Sequence, residues 1–172
     1  MEFLVTMTTR VPDSMPADAV ERVRAREAAR SRELAAQGKL LRLWRPPLRP
    51  GEWRTLGLFA ADDNGELEQL LASMPPRSWR TDDVTPLGAH PNDPVGQGIT
   101  IAPGKGPEFL IATTIMVPPG TPAQVVDDTV AREARRAPEL AGRDTWCGCG
   151  HYPTDRTASA PWGCGGLATL AS

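Results

Sequence analysis

The chain has 172 residues, a formal net charge of −2 and a sequence pI of about 5.7. Its acidic balance, with Lys and Arg mixed among Asp and Glu, excludes an extended basic surface of the kind that binds nucleic acid. The sequence has neither the run of about 18 apolar residues that a membrane span needs nor the pattern of a secretory signal peptide. We therefore expect a cytoplasmic protein with no nucleic-acid or membrane partner.

The N-terminal residues predict a strand followed by a helix. Apolar side chains alternate with polar or small ones from Phe3 to Met7, which predicts a half-buried strand. A charged periodic segment follows and predicts a helix with Ser14 as its N-cap. The helix should run to about Gln37, because Gly38 is a residue that ends helices.

The next elements predict a hairpin, a second helix and a last strand. Leu40–Trp44 and Trp53–Phe59 read as two strands joined by a Pro- and Gly-rich turn. Asn64 should cap a helix from Glu66 to about Ser73, and a short strand should span residues 79–87. The order β-α-β-β-α-β is that of ferredoxin-like α+β folds of the dimeric α/β-barrel type, with both helices on one face of an antiparallel sheet. The other face should be apolar, so we expect a homo-oligomer formed sheet to sheet.

The start of the chain is repeated. EFLVTMTTRVP from Glu2 returns as EFLIATTIMVP from Glu108, an offset of 106 residues, and the likeness continues through the following helix to about Arg143. The repeat predicts a first domain over residues 1–93, a Gly- and Pro-rich linker over 94–107, and a partial second copy, one strand and one helix, over 108–143.

Residues 144–172 do not continue the repeat. If Asp144 to Gly150 are read one base earlier, permitted codons give GHLVRLW, which resembles GKLLRLW from Gly38 at the same offset. Residues 161–169 give ALGLWRARD in the same way, which resembles TLGLFAADD from Thr55. We therefore interpret residues 144–172 as an out-of-frame, poorly ordered tail that replaced the end of a second domain.

All three cysteines lie in that tail. Cys147, Cys149 and Cys164, together with His151, could supply soft ligands for zinc. The C-x-C spacing, however, differs from the usual C-x2-C, and no second pair follows. An accidental out-of-frame run is the better interpretation, and we expect no metal site.

Glu27 lies within the apolar stripe of the first predicted helix. The stripe has helical spacings of three and four residues and comprises Val20, Val23, Glu27, Ser31 and Leu34. Glu133 occupies the matching position of the second copy. A carboxylate therefore lies where a core residue is expected, in both copies.

The position of Glu27 has two interpretations. Packing against a sheet would desolvate the carboxylate and raise its pKa toward the range of a general base, with Arg42 or Arg45 as a nearby cation. Alternatively, Glu27 pairs with Arg24 or Arg30 at the exposed edge of a charged helix, as many helical Glu residues do.

Several motifs together resemble the muconolactone Δ-isomerase family. They are MEFLVTM at the start, the helical segment that contains Glu27, LWR at Leu43–Arg45, NGELEQLLASMP from Asn64 and DVTPLGAHP from Asp83. The resemblance covers about residues 1–93 and implies a ferredoxin-like fold that assembles through its sheets into larger rings, with no cofactor. It also implies an isomerase of aromatic compound catabolism, in the β-ketoadipate pathway, that shifts the ring double bond of a small lactone to give 3-oxoadipate enol-lactone.

The resemblance implies roles for five residues. Glu27 would be the catalytic acid–base group, and Lys39, Arg42, Trp44 and Arg45 would contact the substrate, with Arg45 or Lys39 on its carboxylate. Departures from the family pattern at positions 42 and 76–80 leave open another small unsaturated acid or lactone as substrate. The competing interpretation is a non-catalytic dimeric-barrel protein of this family that binds a small ligand or serves as a scaffold.

The out-of-frame interpretation predicts the nucleotide sequence of the gene. Read one base earlier from the codon of Asp144, the gene should encode a segment close to GHLVRLW, because the second domain once continued there. Sequencing the gene checks this directly. If no other frame encodes such a segment, residues 144–172 were never part of a second copy.

Overall fold

The computed structural model describes residues 1–48, 53–75, 77–100, 108–141, 149–151 and 165–171. The chain divides into two compact units, Met1–Pro86 and Leu87–Ser172. No described helix is both long enough and apolar enough to cross a membrane.

The first unit has the predicted order of strands and helices. Its elements are β1 (Glu2–Thr9), α1 (Ala17–Ala36), β2 (Leu40–Trp44), β3 (Arg54–Ala60), α2 (Asn64–Ser73), a 3-10 turn (Arg77–Trp79) and β4 (Arg80–Ala89). The sheet order is β2-β3-β1-β4, and β3 is antiparallel to both β1 and β2. This order, with a helix following β1 and a helix following β3, is the ferredoxin-like α+β fold, which confirms the predicted fold class.

The core of this unit lies between the two helices and one face of the sheet. Alternation along β1 turns Phe3, Val5 and Met7 to this face, and all three are buried, as predicted. Their buried neighbours come from β2, β3, both helices and the residues that directly follow β3 and α2: Leu34, Leu40, Phe59, Ala61, Leu67, Leu71 and Met74. The helices are therefore fixed to the sheet by apolar contacts from three strands.

Both predicted helix caps were wrong, although the helices were predicted correctly. The N-cap of α1 is Pro16, in an extended conformation and with no side-chain capping bond, rather than Ser14. The N-cap of α2 is Asp63, whose carboxylate accepts the Glu66 backbone N–H, rather than Asn64. Asp63 is preferred because it has the extended backbone that an N-cap requires, whereas Asn64 is already helical.

Gly38 ends α1 as predicted. Its φ of 69° lies in the left-handed region, which glycine adopts without steric cost. The turn lets the Lys39 backbone N–H donate to the Leu34 carbonyl at 2.9 Å, so that one of the last helical carbonyls is satisfied. The chain reverses there and enters β2 directly.

The second unit contains the strand and helix that the repeat predicted. They are β5 (Glu108–Thr114) and α3 (Ala123–Ala141), followed by β6 (Cys149–His151) and β7 (Gly165–Ala171). β7 is antiparallel to both β5 and β6. The described parts of residues 144–172 are thus short strands, and the out-of-frame origin of this segment stays a prediction. The predicted linker is described only up to residue 100.

A buried ion pair on β4 also contacts the end of α2. The Arg80 guanidinium donates to both carboxylate oxygens of Asp82, at 2.6 and 2.9 Å, and to the Leu71 carbonyl at 2.8 Å. The side chain of Arg80 is fully buried and that of Asp82 is 6% exposed. Arg77 contacts the same carboxylate at 3.0 Å but is 58% exposed. Arg80 therefore satisfies a carbonyl in the last turn of α2 and neutralises a buried acid.

The two arginines on Asp82 should contribute very differently to stability. Arg80→Met leaves the buried carboxylate without its main partner and should lower the free energy of unfolding by about 3–5 kcal/mol. Arg77→Met removes an exposed contact to the same acid and should cost less than about 1 kcal/mol. Urea unfolding of both variants measures the difference, and equal losses would show that burial does not control this pair.

Candidate active site

A cleft of about 660 Å³ opens between α1 and the β2–β3 hairpin. Its lining combines one acid, two guanidinium groups and two indoles with small and apolar side chains. The lining residues are Arg24, Glu27, Ala28, Ser31, Leu43, Trp44, Arg45, Trp53 and Thr55. Among these described residues, Glu27 is the only one that can act as a carboxylate base.

The helical stripe brings Glu27 to the cleft. Val23 and Leu34, on the same stripe, are buried against the sheet, so the stripe positions between them, including Glu27, must also face inward. Glu27 is consequently half-buried, and this desolvation raises the pKa of its carboxyl above the ordinary value. The guanidinium groups of Arg80, Arg45 and Arg24 oppose that rise by stabilising the ionised form.

The alternative pairing of Glu27 at the helix edge does not occur. Arg24 Nη1 lies 2.6 Å from the Glu21 carboxylate, and Arg30 Nη1 lies 2.9 Å from that of Glu33. Within the described part of the chain, no cation lies within ion-pair distance of Glu27. The carboxylate is therefore influenced by several cations without being neutralised by direct contact with one.

A β-bulge at Leu41 determines which side chains of β2 face α1. Leu40 pairs with Phe59, but Arg42 pairs with Leu58, so one extra residue stands between them. Beyond the bulge, Leu43 pairs with Gly57 and lies on the helix-facing side, where an added Cβ on Gly57 would come within 3.3 Å of it. Without the bulge, strict alternation from Leu40 would have turned Leu43 away from the cleft.

The structure places the five predicted site residues in two groups. Glu27, Trp44 and Arg45 line the cleft together. Lys39 is not among its lining residues, and its Nζ lies 2.6 Å from the Glu66 carboxylate, a hydrogen bond that raises the pKa of Lys39 and lowers that of Glu66. Arg42 is also absent from the lining, and its guanidinium carbon lies 5.3 Å from the centre of the Trp44 ring. A substrate contact by Lys39 or Arg42 rests on the sequence resemblance alone.

Three other residues of this region were missed or given another role by sequence reasoning. Arg24 was considered only as a partner for Glu27, but its guanidinium carbon lies 4.4 Å from the centre of the Trp53 ring. Trp53 was predicted as the first residue of a hairpin strand. Arg80 was not singled out, because nothing in the local sequence predicts its burial. The spacing of three residues between Arg24 and Glu27 was the one signal that placed both on the same helix edge.

The described residues hold no cluster of three or more His, Cys, Asp or Glu side chains that could bind a metal ion. Cys147 and Cys164 of the possible zinc cluster lie outside the described residues, and only the backbone of Cys149 is described, in β6.

The fold and the cleft define a small ferredoxin-like α+β protein with a half-buried carboxylate among guanidinium groups. The family model described as muconolactone delta-isomerase matches residues 1–93, and the chain belongs to this family.

Relatives and a solved structure each align with about half of the chain. Muconolactone Delta-isomerase 1 of Acinetobacter lwoffii is 36% identical over 92 residues, which are 54% of this chain and 93% of the relative. Muconolactone Delta-isomerase of Cupriavidus pinatubonensis is 34% identical over 92 residues, 54% of this chain and 97% of the relative. A crystal structure of muconolactone isomerase aligns with 53% of this chain and 92% of its own, at 25% identity and a TM-score of 0.48.

The raised pKa of Glu27 predicts how stability depends on pH. A carboxyl with a higher pKa in the folded state binds more protons when folded, so the protein should lose stability as the pH rises from the unfolded pKa through the folded one. Glu27→Gln removes the desolvated charge and should raise the urea midpoint at pH 7 but not at pH 4. Glu33→Gln, at an exposed position of α1, is the matched control. An equal shift at both pH values would contradict the proposed cost of burying the charge.

Proposed function

We propose that the protein is an isomerase that shifts a double bond within a small unsaturated lactone, of the type that converts muconolactone to 3-oxoadipate enol-lactone, in aromatic compound catabolism. The observation that supports this most strongly is the half-buried Glu27 carboxylate, with its raised pKa, in a cleft that two guanidinium groups also line. Family membership and the names of the relatives support the same reaction.

In the proposed reaction, Glu27 is both base and acid. Its ionised carboxylate removes a proton from a ring carbon that is conjugated, through the double bond, with the lactone carbonyl. The electron pair of the broken C–H bond moves through the ring, and negative charge develops on the carbonyl oxygen. The protonated Glu27 then returns the proton to the other end of the conjugated system, so that the double bond has moved and the carboxylate is regenerated.

The pKa of Glu27 suits this cycle. A carboxyl with an ordinary pKa is a weak base toward carbon, whereas one whose pKa is raised by desolvation takes the proton more readily. The opposing influence of Arg80, Arg45 and Arg24 favours the ionised resting form that the first step requires. The proposed proton transfer needs no group other than side chains of this chain.

The substrate carboxylate is proposed to bind Arg45, with Trp44 beside it. Both line the cleft at the end of β2, and a guanidinium can hold a carboxylate through two parallel hydrogen bonds. The indole of Trp44 offers an apolar surface to the lactone ring. Assembly of the protein into a homo-oligomer through the face of the sheet opposite the helices remains part of the proposal.

Replacement of Glu27 tests the function. Glu27→Gln keeps the shape of the side chain but cannot accept the proton, so turnover of muconolactone, followed by ultraviolet absorbance, should fall by about 10²–10⁴-fold. In the unaltered protein, kcat/KM should rise with pH through the raised pKa of Glu27, because only the ionised form is the base.

Glu33→Gln is the control for loss of a helical carboxylate and should retain turnover. Near-normal, pH-independent turnover in Glu27→Gln would overturn the assignment. Saturable binding of muconolactone without turnover by the unaltered protein would instead favour the non-catalytic ligand-binding function.

A further inference from the structure

Arg24 is a second cation of the Glu27 cleft whose position two neighbours restrain. It lies three residues before Glu27 on α1 and lines the same cleft. Its guanidinium carbon lies 4.4 Å from the centre of the Trp53 ring, and its Nη1 lies 2.6 Å from Glu21. The side chain is 51% exposed, so it is accessible to a small ligand.

These two contacts leave Arg24 able to bind an anion. Stacking on an indole uses the face of the guanidinium, whereas its five N–H donors point outward in the plane. Glu21 accepts a hydrogen bond from one edge of the guanidinium. Both side chains are exposed, so this ion pair contributes little to stability. The Trp53 stack limits the conformations of a long side chain, so less entropy is lost when the remaining donors meet a ligand.

The charges that line the cleft match a ligand with one negative charge before proton transfer and two after it. Arg24 and Arg45 together carry two positive charges, and the ionised Glu27 carries one negative charge. A monocarboxylate lactone would make this set neutral. When its ring proton moves to Glu27, the acid becomes uncharged and the ligand carries two negative charges, one on its carboxylate and one on the former carbonyl oxygen. The set is then neutral again, with one guanidinium for each anionic group.

We infer that Arg24 stabilises the negative charge that develops on the lactone oxygen, while Arg45 holds the carboxylate. Arg24 and Glu27 belong to the same edge of α1, one turn apart, so they can reach the carbonyl oxygen and the proton of one ring. Arg45 comes from the hairpin on the other wall of the cleft and is placed for the carboxylate arm. The inference deepens the proposed function and rests on it for the reacting ring. It defines the site, once Glu27 is protonated, as one for small dianions.

Replacing the two arginines separately should affect different kinetic constants. Arg24→Gln should lower kcat on muconolactone by about 10- to 100-fold with a smaller change in KM, because its contact strengthens as the charge develops. Arg45→Gln should mainly raise KM. Trp53→Leu should reproduce part of the Arg24→Gln loss, whereas Trp53→Phe retains a ring beneath the guanidinium and should lose less.

Arg22→Gln is the matched control for loss of a positive charge on α1. Arg22 is exposed, is paired with Asp18 at 2.6 Å, and does not line the Glu27 cleft. Its replacement should leave kcat within about twofold of the unaltered protein, and circular dichroism confirms that each variant is folded. If Arg24→Gln behaves like Arg22→Gln while the unaltered protein is active, the role of Arg24 is overturned and the isomerase function stands.

Binding of stable ligands tests the two-cation site without turnover. Adipate, a dicarboxylate, should bind Glu27→Gln, whose uncharged side chain matches the protonated acid, about tenfold more tightly than hexanoate, a monocarboxylate of the same chain length, in isothermal titration calorimetry. The preference should disappear when Arg24→Gln is added to this variant and persist when Arg22→Gln is added. Such a preference, together with no isomerisation of muconolactone by the unaltered protein, would support the dianion site and overturn the isomerase function. Equal binding of adipate and hexanoate by Glu27→Gln would overturn the dianion site.

Discussion

The packing of α1 on the sheet is the constraint on which the site depends. Val23 and Leu34 are buried against the strands. Because of the helical period, Glu27, which lies between them on the same stripe, faces the same way. A carboxylate in that position is partly withdrawn from water whether or not this favours folding. The same apolar contacts that stabilise the first unit thus create the chemical character of its cleft.

The cations around Glu27 differ in burial and in their distance from the cleft. Arg80 is fully buried and is held by Asp82 and a carbonyl of α2, so it acts on Glu27 only at a distance. Arg24 and Arg45 line the cleft itself. A cation in direct contact would lower the basicity of the carboxylate, and the absence of any cation would favour its uncharged form. The intermediate arrangement suits the proton transfer proposed for Glu27.

The two halves of the chain begin with similar sequences but contain different elements after the first strand and helix. The first supplies a complete ferredoxin-like unit and matches the family over residues 1–93. The second has the strand and helix that its sequence likeness predicted, with Glu133 at the position matching Glu27. Its α3 is followed by residues unlike the hairpin of the first half. Since Leu43, Trp44 and Arg45 come from that hairpin, the repeated strand and helix do not by themselves supply the cleft.

Local sequence determined the elements of the first unit and the position of its key acid. Alternation in β1, helical spacing in α1, the glycine that ends it and the order of the elements all depend on near neighbours, so they could be read without a structure. Local sequence did not determine the true helix caps or the bulge at Leu41, because each is selected by a backbone geometry that the surrounding fold imposes. Only the tertiary structure determined that Lys39 pairs with Glu66, that Arg24 contacts the Trp53 ring and that Arg80 is buried. The contacts of Lys39 and Arg24 join segments distant in sequence, and the burial of Arg80 depends on how α2 packs beside β4. The energies of these contacts depend on burial and distance rather than on residue type.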